Sequence, residues 1–293
     1  MMKVAIFGRQ IDSIYKEGID IFFACITKYN LSLYLHEKFV LQLKEMGVSL
    51  SFPFTLFNHQ DEITTDFKLF FSLGGDGTML ESIRYVQNKG IPIAGVNTGR
   101  LGFLANIAQN EIEESIAMLI EGKFHIDSRT LLSFHCDNNP FFTFPFALNE
   151  ITIQKHDTSL ITIDTTIDGE ELNRYWADGL ILSTPTGSTA YSLSTGGPIV
   201  SPDVKAIIIA PIASHNLSVR PLIVPHHRTI GIHATSRSGK YLVTLDSQAK
   251  VFDCDIPMEV RLAPFEIALA CLPNHSFFQT IRKKLMWGAD IRN

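Results

Sequence analysis

A buried strand that runs straight into a glycine turn and then a helix does more than any other feature to limit what this chain can become. Residues 69–80 read LFFSLGGDGTML. The apolar run 69–73 stops at Gly74-Gly75-Asp76-Gly77-Thr78, and Met79, Ile83 and Val86 then recur at helical spacing. Glycines permit positive φ and let a ligand approach the backbone, because no Cβ stands in the way. The helix N-terminus that follows offers free N–H groups and positive potential, which suits phosphate. Asp76 is the exception, a carboxylate set among groups that attract anions. A bare phosphate cradle has no use for it, but a site that takes a proton from a hydroxyl, or holds Mg²⁺ beside a phosphate, does. Taken alone, GGDG is equally a strand-to-helix turn with Asp in a favoured turn position.

Strands are expected at 3–7, 48–50, 69–73 and 91–96, and helices at 31–46, from Thr78 to about Asn88, and at 111–120. The alternation predicts a Rossmann-like open α/β sheet, mostly parallel, over residues 1–126. From Arg129 the pattern changes to short strands, among them 131–135, 147–154, 160–167, 179–183, 205–210, 229–234, 240–245, 250–254 and 259–262. Asp168-Gly169 marks a hairpin. Residues 127–273 are therefore expected to form a β-sandwich-like domain. A final amphipathic helix carrying Phe277, Phe278, Ile281, Leu285 and Met286 is expected to return to the first domain, so that about 274–293 packs back on it.

The chain has 293 residues and 45% hydrophobic content. Mean hydropathy is +0.13, yet no apolar run approaches the ~20 residues of a membrane span. Residues 1–7 are too short for a signal peptide and read as a first strand. Cys25, Cys136, Cys254 and Cys271 are far apart, as expected of reduced, mostly buried thiols in the cytoplasm. The net charge of −5 and the lack of a basic stripe argue against nucleic-acid binding.

A second stretch, residues 178–200, reads DGLILSTPTGSTAYSLSTGGPIV. It begins as a strand and then accumulates Ser, Thr, Gly and Pro. Residues 184–191 read as a turn into a helix capped by Ser188 or Thr189. Their hydroxyls and amides suit phosphate or a base edge, and Tyr191 suits a ring; the plain alternative is a surface loop. Asn149-Glu150 interrupts an apolar environment, 144–148 before and Ile151 and Ile153 after, and an amide and a carboxylate at the end of a strand could grip two ribose hydroxyls, although Glu150 also fits the outward position of an alternating strand. His226-His227 lacks metal-spaced partners. GxxxxGK[ST], a complete GxGxxG and GxSxG are all missing.

Taken together these residues resemble the NAD kinase family over nearly the whole chain. Gly74-Gly75-Asp76-Gly77-Thr78 is similar to its GGDGT motif, Asn97-Thr98-Gly99-Arg100-Leu101-Gly102-Phe103-Leu104 to its NTGxLGFL, and Asn149-Glu150 to its NE. Asp178-Gly179, residues 183–191 and Gly196-Gly197-Pro198 match its glycine- and threonine-rich segment, and Leu285-Met286-Trp287-Gly288 its close. GGDGT alone is shared with lipid kinases. The NE pair and TPTGSTAY make the likeness specific.

The resemblance implies transfer of the γ-phosphate of ATP to the 2′-hydroxyl of the adenosine ribose of NAD, giving NADP. Asp76 would accept the proton, with Gly77 against the nucleotide and Gly74, Gly75 and Thr78 lining the site. Asn149 and Glu150 would contact the ribose and base, and Asp178 the nicotinamide end. Thr189, Ala190, Tyr191, Ser192, Leu193 and Ser194 would line the adenine and ribose pocket. Ala213 and Gln248 are further NAD-binding positions, and His215 matches a family histidine near the site, although Ser214 stands where many members have proline. Mg²⁺ is expected with ATP, no metal ligand is assigned directly, and the family implies a homodimer or homotetramer. A lipid or sugar kinase sharing GGDGT and a non-catalytic NAD-binding sensor are the alternatives.

Overall fold

A computed structural model describes residues 1–9, 11–99, 102–137 and 141–288. Arg100 and Leu101 of the 97–104 motif therefore lie outside the described residues. The chain divides into two compact units, Met1–Ser128 with Ile267–Asn293, and Arg129–Glu266.

The first unit is built on a parallel sheet. Its order is Thr55–Phe57, Leu31–His36, Met2–Gly8, Phe67–Leu73, Ile93–Val96. Leu269, late in strand Met258–Cys271, joins Ile93 in parallel register. The first strand of the chain thus lies mid-sheet, and the order reverses between it and Phe67–Leu73. Ligands of such sheets bind outside the carboxyl ends of strands at that reversal. GGDGT follows Leu73 there. Helices Lys16–Ile26, Glu37–Glu45, Asp76–Val86 and Ile112–Ile120 connect the strands. Ile6, Phe22, Leu35, Phe39 and Phe71 are fully buried in one core, each contributing about 2–3 kcal/mol by burial.

Two expectations fail here. Residues 31–46 are not one helix: Leu31–His36 is a strand paired with Met2–Gly8, and the helix is only Glu37–Glu45. Its alternating burial fits a strand in a parallel sheet, and Leu31, Leu33 and Leu35 lie in the core with Phe39, Val40 and Leu43. Residues 48–50 form no strand; the edge strand is Thr55–Phe57. Helix Lys16–Ile26 carries Ile19, Phe22, Phe23 and Ile26 toward the core at helical spacing, a signal present in the sequence and not used above.

In the second unit a six-stranded antiparallel sheet runs Leu222–Pro225, Ala206–Ile212, Gly179–Ser183, Glu150–Lys155, Lys240–Leu245, Gln248–Asp253. Strands Glu170–Ala177, Ile161–Ile167, Ile230–Ser236 and the start of Met258–Cys271 pair antiparallel in turn. Ile151, Ile153, Leu180 and Leu182 of one set and Ile161, Ile163, Ile230 and Ile232 of the other share one core, as two facing sheets do. The hairpin at Asp168-Gly169 is present. The strand expected at 259–262 is longer, Met258–Cys271.

The last helix, Phe277–Leu285, belongs to the first unit. Ser276 caps it by accepting from the Gln279 amide at 3.2 Å. Of its apolar face only Ile281 is buried, and Lys284 Nζ lies 5.1 Å from the centre of the Phe103 ring.

Candidate functional site

In the first unit, strand Phe67–Leu73 delivers the chain to the glycine turn and helix Asp76–Val86 leaves it. Gly74 has φ 149°; Gly75 is extended and Gly77 helical. Gly75 and Gly77 are exposed, and a Cβ at either would meet none of the described residues within 4 Å. The turn is open where a ligand would approach.

Asp76 is not idle in this turn. Its Oδ2 accepts from the Phe103 amide at 2.8 Å, and its Oδ1 from the Leu104 and Ala105 amides at 2.9 and 3.0 Å. The carboxylate therefore pins the end of the 97–105 loop. Asn97 helps, donating to Ala105 O at 3.2 Å and accepting from the Gly99 amide at 2.6 Å. Gly102 is required by contact: a Cβ there would stand 2.0 Å from Asp76 Oδ1. A carboxylate offers about four acceptor positions. Three are taken, so one remains, fixed in direction by the other three.

The second unit gathers a separate set. Thr184 N donates to Asn149 O at 2.9 Å, Ser183 Oγ to Asn149 O at 3.1 Å, and Thr184 Oγ1 to Leu148 O at 2.5 Å. Asn149-Glu150 and the Ser/Thr-rich turn are thus one construction. Glu150 opens strand Glu150–Lys155 rather than closing one. Thr184, Thr186, Ser188 and Ser192 are buried, so this is no surface loop. Neither Ser188 nor Thr189 caps a helix. Ser188 instead bonds both the amide and the carbonyl of Val200, at 3.0 and 3.2 Å, and Thr189 donates to Thr186 O at 3.3 Å. These hydroxyls are spent on holding the turn. Tyr191 and Ser194 are exposed, Ala190 and Leu193 half-buried. The Ser192 hydroxyl is buried with no partner among the described residues.

Asp246 was not singled out from the sequence. It adopts φ 48° and accepts from the amides of Leu148, Asn149 and Glu150 at 2.7, 2.9 and 3.1 Å. Burial pushes its carboxyl up to about 6. Glu150 is pushed up to about 8, first by burial and then by the negative charge of Asp246, with the Tyr191 amide partly offsetting both. Its Oε2 is buried without a partner among the described residues. Near neutrality Glu150 therefore keeps its proton and can donate a hydrogen bond. Gln248 lies next to this corner, its Nε2 donating to Phe144 O at 3.1 Å.

Asp178, Ala213 and His215 form a different group. Asp178 pairs with Lys155 Nζ at 2.5 Å, its amide donates to Ile212 O at 2.9 Å, and the His215 amide donates to Trp176 O at 2.8 Å. Strand Gly179–Ser183 separates Asp178 from Thr184 by roughly 20 Å at ~3.3 Å per residue. Asp178 is thus out of reach of a ribose held at Asn149-Glu150.

Among the described residues no group of three or more His, Cys, Asp or Glu side chains is arranged to hold a metal.

Comparison with known proteins bears on these residues. The model for the ATP-NAD kinase N-terminal domain matches residues 27–124, and that for the ATP-NAD kinase C-terminal domain residues 148–262. An NAD kinase of Flavobacterium psychrophilum is 43% identical, with all of both chains covered. One from Bacteroides fragilis is 41% identical over 99% of this chain and 100% of its own. Yeast NADH kinase, solved with NADH, superimposes with a TM-score of 0.87 at 26% identity, covering 100% of this chain and 89% of that one. An NAD kinase from Archaeoglobus fulgidus, solved with ATP, gives 0.72 at 25% identity, covering 97% and 99%.

Proposed function

The chain belongs to the NAD kinase family, and from that premise we propose that Asp76 is the group that takes the proton when ATP phosphorylates the 2′-hydroxyl of the adenosine ribose of NAD. The ribose oxygen attacks the γ-phosphorus, its bond to phosphorus forms as the bond to the β,γ-bridging oxygen breaks, and ADP leaves. The hydroxyl proton passes to Asp76. The observation that carries this reading is the geometry of the carboxylate. Three backbone amides fix it while the glycines beside it leave the approach open. A hydroxyl placed at the remaining acceptor position is oriented as well as deprotonated. Mg²⁺ brought in on the nucleotide would supply charge neutralisation across the phosphates.

Gly77, with Gly74, Gly75 and Thr78, borders the reacting centre. Asn149, Glu150 and Gln248, with Thr189, Ala190, Tyr191, Ser192, Leu193 and Ser194, take the adenosine half of NAD, where protonated Glu150 donates rather than repels. Asp178, Ala213 and His215 take the nicotinamide half, in keeping with their distance along the strand. Trp176 and Leu217 expose 56% and 89% of their surface in the second unit, and a homodimer or homotetramer would cover them; light scattering on the eluting protein measures this. Action in the cytoplasm is part of the same reading. It is supported by four cysteines in no disulfide, of which Cys25 is buried and Cys136, Cys254 and Cys271 are half-buried rather than mostly buried as expected.

The test is direct. Purified protein with ATP, Mg²⁺ and NAD should yield NADP, and Asp76→Asn should retain NAD binding while turnover collapses. Phosphorylation of a lipid or sugar in place of NAD, or NAD binding without turnover, rejects the proposal.

A further inference from the structure

Strand Glu150–Lys155 pairs antiparallel with Gly179–Ser183, and the register sets Gly179 opposite Gln154. One position further on, Lys155 meets Asp178: the Lys155 amide donates to Asp178 O at 2.9 Å. On its other side the Asp178 amide donates to Ile212 O at 2.9 Å. Gly179 leaves no slack next to it, since a Cβ there would stand 2.5 Å from Ile153 O. The backbone of Asp178 is therefore held by both neighbouring strands, and its side chain starts from a fixed point.

Opposite charges directly across an antiparallel pair attract. Here they touch, with Lys155 Nζ 2.5 Å from Asp178 Oδ1. Arg174, four residues before Asp178, is engaged with Asp164 and does not compete. Asp178 Oδ2 carries no hydrogen bond among the described residues. The two side chains keep 32% and 34% of their surface exposed, so a ligand can reach the pair, and water weakens its field without abolishing it. Asp178 thus presents an open oxygen while Lys155 removes most of its net charge.

A nicotinamide ring exists in two charge states, a cation when oxidised and neutral when reduced. A lone carboxylate beside the ring favours the cation, whereas a carboxylate already paired with an ammonium does not. We propose that Lys155 is a specificity-determining residue: by cancelling the charge of Asp178 it makes the nicotinamide end indifferent to oxidation state, so that NADH is bound alongside NAD. The inference rests on the placement of the nicotinamide half at Asp178 proposed above. On that reading NADH is phosphorylated at the same ribose hydroxyl, with the same bonds made and broken, the proton passing to Asp76 and no electron moving.

The test uses the full chain with Lys155→Met, Lys155→Arg, Asp178→Asn, and Lys155→Met combined with Asp178→Asn. Methionine keeps most of the aliphatic stem and drops the charge at a partly exposed position, so the variants should fold. Calorimetry with NAD and with NADH gives the ratio of their dissociation constants, NADH over NAD. The parental ratio should lie below about tenfold. Lys155→Met should raise it about threefold to fivefold, the size expected of a partly exposed charge, and Lys155→Arg should leave it parental. Asp178→Asn strands the lysine and should lower the ratio, and the combined change should bring it back. A pair that served only to hold the strands together would weaken both dinucleotides alike. An unmoved ratio in Lys155→Met therefore overturns the proposal, and so does a parent that binds NAD but not NADH. If the ratio shifts as described while the parent makes no NADP, the role of Lys155 stands and the NAD kinase reading falls.

Discussion

Two aspartates, one in each unit, do the same thing to the backbone. Asp76 accepts three consecutive amides, 103–105, and Asp246 accepts three more, 148–150. They differ in their surroundings. Asp76 sits among glycines that leave space open, whereas Asp246, half-buried as a residue, has its carboxyl pushed up to about 6 by burial. A carboxylate that organises a loop is a scaffold when nothing can reach it. It becomes a reagent when one acceptor position still faces outward.

Asp76→Asn tests that distinction most severely. It should lower kcat about 10³-fold in an NADP-formation assay, beyond what loosening the 103–105 loop produces. A fall of less than about tenfold would make Asp76 a second scaffold, and the two residues would no longer differ. Gly102→Ala attacks the same carboxylate from behind. Its methyl must displace Asp76 Oδ1, and a displacement near 1 Å costs about 10²-fold in kcat with little change in the KM for NAD.

Asp246→Ala should act on stability first. Losing the acceptor of three partly buried amides should cost about 3 kcal/mol in urea unfolding and raise the KM for NAD, because the Asn149-Glu150 corner loosens. Glu150→Gln gives the smallest effect and the sharpest signature. The folded chain holds the Glu150 proton up to about 8, against an ordinary 4.5, and the Asp246 proton up to about 6, against 3.8. Between about 4.5 and 8 the folded state thus binds more protons than the unfolded one, and stability falls as pH rises. Glu150→Gln should flatten that slope, leaving the part from Asp246 below about 6; an unchanged thermal-melt profile from pH 5 to 8 would show that Glu150 ionises freely.

The same contrast explains what could be read from the residues. Asp76 announces itself, because an apolar strand, a glycine cluster and a helical repeat are neighbours in sequence. Asp246 lies in Leu245-Asp246-Ser247-Gln248, with no local mark, and its first partner is 98 residues away. Its role exists only once strands Glu150–Lys155 and Lys240–Leu245 are paired. The misread helix at 31–46 fails for the same reason. Leu35, Phe39, Val40 and Leu43 suit a helix stripe, and only pairing with Met2–Gly8 makes the first part extended. In the Ser/Thr-rich turn, composition located the feature but not the use of its hydroxyls, most of which bind the turn itself.

The first unit is discontinuous: residues 1–128 need 267–293, and Leu269 lies beside Ile93. On the ribosome, then, the half that emerges first is the half completed last. Residues 129–266 can close their own core while the parallel sheet still waits for its final segment. A nascent chain carrying the finished glycine turn must wait until Leu269 has been added before that sheet has its last neighbour.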